Sequence, residues 1–167
     1  MKNAIAAAFL LLLSLPALAA DYSGTWVLDQ SASKDLPPRI ASGLKEWRID
    51  VKQTAEAMTV GVHIDRGNAP FDITNNYRLD GSAVTFESAV RTPDGDLNVP
   101  TTTTAKPAAD GAIDITISTD FERNGMRMKR FLKEQWTLSE DGKTLSVACV
   151  DETPRGVMQY TLVFRRA

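Results

Sequence analysis

Apolar and polar residues alternate along most of the chain beyond residue 20. Met58, Val60, Val62 and Ile64, for example, are separated by polar or small residues. A period of two with one polar face is typical of strands in an antiparallel sheet. The pattern predicts ten strands, at about 24–30, 46–54, 57–65, 70–79, 82–91, 97–106, 112–122, 127–138, 143–152 and 157–166.

Turn signals separate these strands at nearly even spacing. Five dipeptides favour tight hairpins because Gly, Asp and Asn accept a positive φ more readily than most residues; they are Asp80-Gly81, Asp94-Gly95, Asp110-Gly111, Asn124-Gly125 and Asp141-Gly142. Only one strand of about ten residues fits between turns, so consecutive strands should pair antiparallel. We predict an all-β, up-and-down meander of about ten strands. Closing it into a barrel removes exposed strand edges.

Two segments fall outside the strand pattern. Residues 35–44, which contain Pro37-Pro38, predict a short helix or turn that caps one end of the barrel. Residues 1–19 combine Lys2, an apolar run and a final Ala17-Leu18-Ala19, the layout of a cleavable secretory signal peptide. We therefore expect one domain over residues 20–167, located in the periplasm or secreted.

Composition narrows the classes of partner. Removal of residues 1–19 takes away Lys2, one of the 19 basic residues. The exported chain then has 18 basic and 21 acidic residues, a net charge of −3. This mild acidity argues against nucleic acid as a partner. The single cysteine, Cys149, cannot form an internal disulfide and lies in an apolar run, so we interpret it as a core residue.

The two ends of the predicted domain resemble the lipocalins. Gly24-Thr25-Trp26 is similar to the G-x-W signature of that family, and the phrase Val163-Phe164-Arg165 is similar to a group of bacterial exported lipocalin-like proteins. The resemblance implies a β-barrel in which Trp26 closes the base. It also implies that an arginine of the last strand packs over Trp26; Arg165 is the expected partner, and Arg166 is the alternative. Independently of the resemblance, a barrel of eight to ten strands has an interior that side chains fill or that holds one small ligand.

Aromatic residues supply the candidate ligand contacts. Each of five is in step with the apolar residues of its own strand and should point inward: Trp47, Tyr77, Phe86, Phe121 and Tyr160. They predict either a filled aromatic core or a cavity whose wall contacts an apolar ligand. The pattern leaves both open, because cavity volume depends on packing.

One basic segment stands out in the acidic chain. Arg127, Lys129 and Lys133 share a face of their predicted strand, in a cluster with Arg123 and Arg130. Such a patch could contact an anionic membrane surface or an anionic ligand. Alternatively, the charges protect the hairpin from edge-to-edge association.

Catalytic and metal-binding patterns give little support for an enzyme. His63 is the only histidine, and Asp65 lies two residues on, on the same strand face. Together they provide at most two metal ligands, whereas a metal site needs three or four. Asp114, Asp120 and Glu122 fall on the wet strand face. We therefore expect no catalytic residue, metal or cofactor. The favoured hypothesis is a non-catalytic protein that binds a small apolar or amphipathic ligand. A cell-envelope interaction module with a filled barrel is the alternative, and an enzyme that uses a carboxylate inside the barrel ranks last.

Overall fold

The computed structural model describes residues 20–67, 70–92, 95–123 and 125–167, and ten antiparallel strands in them form one sheet. The predicted fold class is confirmed. The strands are β1 (Gly24–Leu28), β2 (Glu46–Gln53), β3 (Ala57–Asp65), β4 (Phe71–Arg78), β5 (Val84–Thr92), β6 (Gly95–Pro107), β7 (Ile113–Arg123), β8 (Met126–Leu138), β9 (Thr144–Thr153) and β10 (Gly156–Arg166). A short helix, α1 (Pro38–Ala41), follows β1, and a 3-10 turn (Ala109–Gly111) follows β6.

The hairpin turns depend on glycine. Seven turn glycines spaced along the chain adopt positive φ angles, from 66° at Gly142 to 128° at Gly156. A residue with a Cβ atom rarely adopts this conformation, so glycine at these places sets where each strand ends. Of the predicted turn residues, Asp94 and Asn124 lie outside the described residues.

The sheet closes almost completely into a barrel. β1 pairs with β10, with Trp26 opposite Arg166, so the first and last strands are neighbours. The sheet edges are β4 and β5, and between them lies a seam. Near the turn that joins these strands, two hydrogen bonds cross to β6: Gly81 N–H donates to the Ala105 carbonyl (2.9 Å), and the Thr103 hydroxyl donates to the Asn76 carbonyl (2.8 Å).

The two ends of the barrel differ. β3, β5, β7 and β9 finish at one end, which we call the open end, and α1 lies there with the buried Ile40. Aromatic and aliphatic side chains fill the opposite, closed end. Tyr22 donates its hydroxyl to the Trp136 carbonyl (2.9 Å), and the two rings meet edge to face at 6.0 Å. Burial raises the pKa of Tyr22 to about 12, consistent with a phenol that stays neutral.

The predicted partner of Trp26 is wrong by one residue. The guanidinium of Arg166, not Arg165, lies over the fully buried Trp26 ring, 4.4 Å from its centroid. Trp26 and Arg166 are direct cross-strand partners and therefore share one face of the sheet. Arg165 lies opposite Val27 and points to the other face, where it pairs with Asp29 at 3.2 Å.

In the described part of the chain, no helix is both long and apolar enough to cross a membrane.

Candidate functional site: a cavity at the open end

A cavity of about 720 Å³ lies inside the barrel and reaches the open end. This volume is within the range of small-molecule sites. Most of its wall is apolar, with contributions from α1 and seven strands: Ile40, Trp47, Val62, Ile64, Phe71, Ile73, Val90, Ile117, Phe121, Met128, Leu132 and Leu162. Polar side chains interrupt the wall at several points: Arg66, Asn75, Ser88, Thr101, Thr119, Lys129, Arg130, Glu134, Thr153 and Tyr160.

Cross-strand register separates the wall into levels. Near the open end, Phe121 lies opposite Met128, and Ile64 lies opposite Phe71, which makes a mostly apolar upper level. Arg66 and Lys129 add positive charge at its rim. Farther down, Glu134 on β8 and Tyr160 on β10 line the cavity, and each lies directly opposite the buried Cys149 on β9 between them. We call these three residues the floor row. A long amphipathic molecule would contact apolar groups above and polar groups below.

An ion pair adjoins the floor row. Arg130 donates from Nε to Asp151 Oδ1 (2.8 Å) and from Nη2 to Asp151 Oδ2 (3.1 Å). The Asp151 side chain is fully buried, whereas the Arg130 side chain keeps 42% of its surface accessible. Since Arg130 lines the cavity, part of its guanidinium is available to a molecule inside.

Burial changes the acidity of the floor row. The carboxyl of Glu134 accepts a hydrogen bond from Trp136 Nε1 (2.8 Å), yet burial raises its pKa above the ordinary value. Burial likewise raises the pKa of the Cys149 thiol and that of the Tyr160 hydroxyl. A thiol or phenol that resists ionisation is a poor nucleophile.

Three of the five predicted ligand contacts line the cavity: Trp47, Phe121 and Tyr160. Tyr77 and Phe86 do not. Tyr77 is buried two residues beyond Asn75 toward the closed end, below the cavity. Phe86 likewise lies two residues beyond Ser88 toward that end. Both were in phase with their strands, but phase gives the face of a side chain and not its depth.

Trp47 also carries an unused donor. Its indole Nε1 is buried and has no hydrogen-bond partner among the described residues, while its ring meets Phe164 edge to face at 6.2 Å. A buried donor without a partner is uncommon in native proteins. An acceptor atom on a molecule in the cavity could bond to Nε1 and so reduce the cost of burying this donor without a partner.

The predicted basic patch lies on the outside of β8, and two of its three cations are paired. Arg127 donates to Asp120 (2.7 Å), and Lys133 donates to Glu152 (3.2 Å). Lys129 lies opposite Asp120 and also contributes to the cavity rim. Pairing reduces the positive potential of the patch, so its contact with an anionic surface stays a prediction.

The site also contains three residues that are not among the predicted contacts: Arg130, Glu134 and Asp151. The signal was present for Glu134, which is in phase with the buried Leu132 and Trp136 and therefore faces inward. Arg130 has the same phase, whereas Arg127, Lys129 and Lys133 have the opposite one. A charged residue on the apolar phase of a strand indicates an interior polar site.

Two other features, a second groove and the single histidine, are weaker candidates for a functional site. A more open groove of about 540 Å³ lies beside β1 and the start of β2, but its Asp29 and Arg165 pair with each other. His63 contacts Asp72 at 2.7 Å across β3 and β4, not Asp65. No group of three or more metal-ligating side chains occurs among the described residues.

Comparison with known proteins gives structural neighbours only. No family model and no curated protein matches the sequence. Among solved structures, the chain is similar to one titled REP1-NXSQ fatty acid transporter, with 16% identity, a TM-score of 0.47, and coverage of 89% of this chain and 98% of that one. A point mutant of the same transporter gives 18% identity and a TM-score of 0.47, with coverage of 89% and 100%.

Proposed function

We propose that this protein binds one small amphipathic molecule inside the barrel. The observation that carries the proposal is the cavity of about 720 Å³, mostly apolar near the open end and polar at the floor row. An apolar tail buried there gains about 25 cal/mol per Å² of surface removed from water. The few polar groups would then orient its head.

We propose a binding role without catalysis. The raised pKa values of Cys149 and Tyr160 argue against either as a nucleophile. Among the described residues that line the cavity, Glu134 is the one carboxyl group that could act as a general base, and Cys149 and Tyr160 beside it resist ionisation. A filled barrel, the alternative hypothesis, is less consistent with an open-end cavity of this volume.

We also propose that the protein acts after export, as a lipocalin-like protein of the periplasm or the medium. The pattern of residues 1–19, which lie outside the described residues, supports the export. Gly24-Thr25-Trp26 and the Arg166 side chain over Trp26 support the lipocalin-like closure. N-terminal sequencing of exported protein should give Ala20 or Asp21 as the first residue, and a sequence that starts at Met1 would refute the cleavage.

A cavity-filling variant tests the binding role. Ile117 lines the cavity on β7, so Ile117→Trp should occupy part of the volume. We expect it to weaken binding of an environment-sensitive fluorescent amphiphile at least tenfold, measured by titration. Gln159→Trp is the control, because Gln159 is exposed and neighbours Tyr160 on the opposite face of β10. Equal affinity for both variants and the native protein would contradict binding in the cavity.

A further inference from the structure

The charges around the floor row do not favour an anionic head group. Arg130 is the cation next to the floor row, and both of its bonds run to Asp151. Two further cations, Arg66 and Lys129, also line the cavity, but nearer the open end. The two charges cancel, and Asp151 is fully buried in that pair. A ligand carboxylate would therefore share a guanidinium that is already engaged, beside a second buried carboxyl group at Glu134.

Glu134 is the carboxyl group of the floor row, and the charge of Arg130 acts on it without forming an ion pair. Among the described residues, no Lys or Arg forms an ion pair with it. Its one hydrogen bond comes from Trp136 Nε1, which leaves acceptor capacity on a carboxyl group with about four lone-pair sites. Glu134 also lines the cavity, so a ligand atom can reach it.

We propose that the floor row selects a head group that donates hydrogen bonds to Glu134, and that it prefers a primary amine over the matching alcohol and the alcohol over the matching carboxylic acid. This inference rests on the proposed function. A protonated amine supplies both hydrogen-bond donors and a positive charge that can pair with Glu134. An alcohol supplies a donor alone, and a carboxylate adds a further negative charge in a medium of low dielectric constant.

The geometry also sets the direction in which the ligand lies. Met128, in the upper level, and Glu134 are both on β8, six residues apart, which is about 20 Å along a strand. The head would reach Glu134 while the tail lies among Phe121, Met128 and Phe71 near the open end. A dodecyl chain is a suitable probe because its length is comparable with this depth.

The test compares three probes that differ only in the head group: dodecylamine, dodecanol and dodecanoic acid. Each competes with a neutral fluorescent amphiphile at pH 7 and below its own micelle concentration. We expect the amine to bind at least tenfold more tightly than the acid, with the alcohol between them. Tightest binding by the acid would overturn the head-group preference and leave cavity binding intact. If none of the three displaces the fluorophore, both this inference and the proposed function fail.

The variant Glu134→Gln tests whether Glu134 is the group that gives the amine its advantage over the alcohol. Glutamine keeps the size and an acceptor oxygen but removes the charge, so the amine should lose its advantage over the alcohol while the alcohol changes less than threefold. Glu87→Gln is the control, because Glu87 is exposed on β5 and does not line the cavity. An unchanged ratio of amine to alcohol in Glu134→Gln would overturn the assignment to Glu134.

A pH titration of the native protein provides a readout that needs no variant. The groups that face Glu134 are Arg130 on its own strand, Asp151 and Cys149 on β9, Tyr160 on β10 and Tyr77 on β4. Because the pKa of Glu134 is raised, it becomes neutral on acidification before an ordinary glutamate does. Amine affinity should fall as the pH drops through this range, while alcohol affinity stays constant. Parallel profiles for amine and alcohol would overturn the inference.

Discussion

Arg166 holds the closed end together at the scale of single side chains. Its guanidinium lies over Trp26, its Nε donates to the Gly142 carbonyl (2.9 Å), and its Nη1 donates to the Ser23 carbonyl (3.0 Å). The Trp26 indole in turn donates to the Tyr22 carbonyl (2.9 Å). These contacts join the start of β1 to the end of β10 and to the turn before β9.

A double-mutant cycle on Trp26 and Arg166 should reveal this coupling. Trp26→Ala removes a fully buried ring and should lower the free energy of unfolding by about 3–5 kcal/mol. Arg166→Ala removes the same cation–π contact as Trp26→Ala. The double variant should therefore lose about 0.5–2 kcal/mol less than the sum of the two single losses. Chemical denaturation of the four proteins gives the values.

Arg165 is the matched control for that cycle. Arg165→Ala should cost at most about 1 kcal/mol, because its pair with Asp29 is exposed. Its effect should add to that of Trp26→Ala. Additivity with Arg166 and coupling with Arg165 would contradict the observed closure.

At the scale of single residues, the sequence predicts which face a charged side chain occupies but not which residue it pairs with. The phase of Glu134 on β8 is visible in the sequence, so its inward direction could have been predicted. The pairing of Arg130 with Asp151 could not, because these residues lie 21 positions apart and meet only through the register of β8 and β9. The choice of Arg166 over Arg165 likewise depends on the register of β1 and β10.

At the scale of elements, the pairing between strands is uneven. β8 is hydrogen-bonded to neighbours on both sides, whereas β4 and β5 each have one paired neighbour and one edge on the seam. Backbone amides on an unpaired edge open at lower free energy than those inside a ladder. The seam is thus the expected weak line of the barrel.

Hydrogen exchange should detect the seam. We expect peptides from β4 and β5 to exchange about tenfold or more faster than peptides from β8 and β9 in the native protein, because the amides of β4 and β5 that point toward the seam lack a ladder partner. Mass spectrometry of peptide fragments gives the rates. Equal protection of β4 and β8 would mean that the barrel is closed in solution.

The basic face of β8 supports a second prediction about an element. If it contacts anionic lipid, then Arg127→Glu, Lys129→Glu and Lys133→Glu combined should abolish binding to anionic vesicles at low salt. Stability should change little, since the pairs with Asp120 and Glu152 are at the surface. The matched control reverses Arg48, Lys52 and Arg78 on β2–β4. If the native protein ignores such vesicles, this membrane contact is wrong.

The positions of the elements were largely predictable from the sequence. Strand alternation and turn glycines are local signals, and the predicted 57–65 coincides with β3 (Ala57–Asp65). The seam was not predictable. Every hairpin in an up-and-down meander has similar local signals, and only the overall curvature of the sheet decides which neighbouring pair stays apart.

At the scale of the whole molecule, one half of the barrel is packed and the other is hollow. Large side chains such as Trp26, Tyr22 and Phe164 fill the closed end, and the cavity takes the open end under α1. The sequence could not decide between a filled and a hollow interior, because inward-facing Phe121 and inward-facing Phe164 have the same pattern. Their depth along the strand determines whether they pack or line a space.

Native mass spectrometry of the exported protein tests the binding of a ligand in this space most directly. Protein recovered without denaturation should show one added amphipathic molecule, or should take up one dodecylamine per chain after incubation. Ile117→Trp should lose the added mass, while Gln159→Trp should keep it. A bare protein mass for the native chain, both as recovered and after incubation with all three dodecyl probes, would contradict the account.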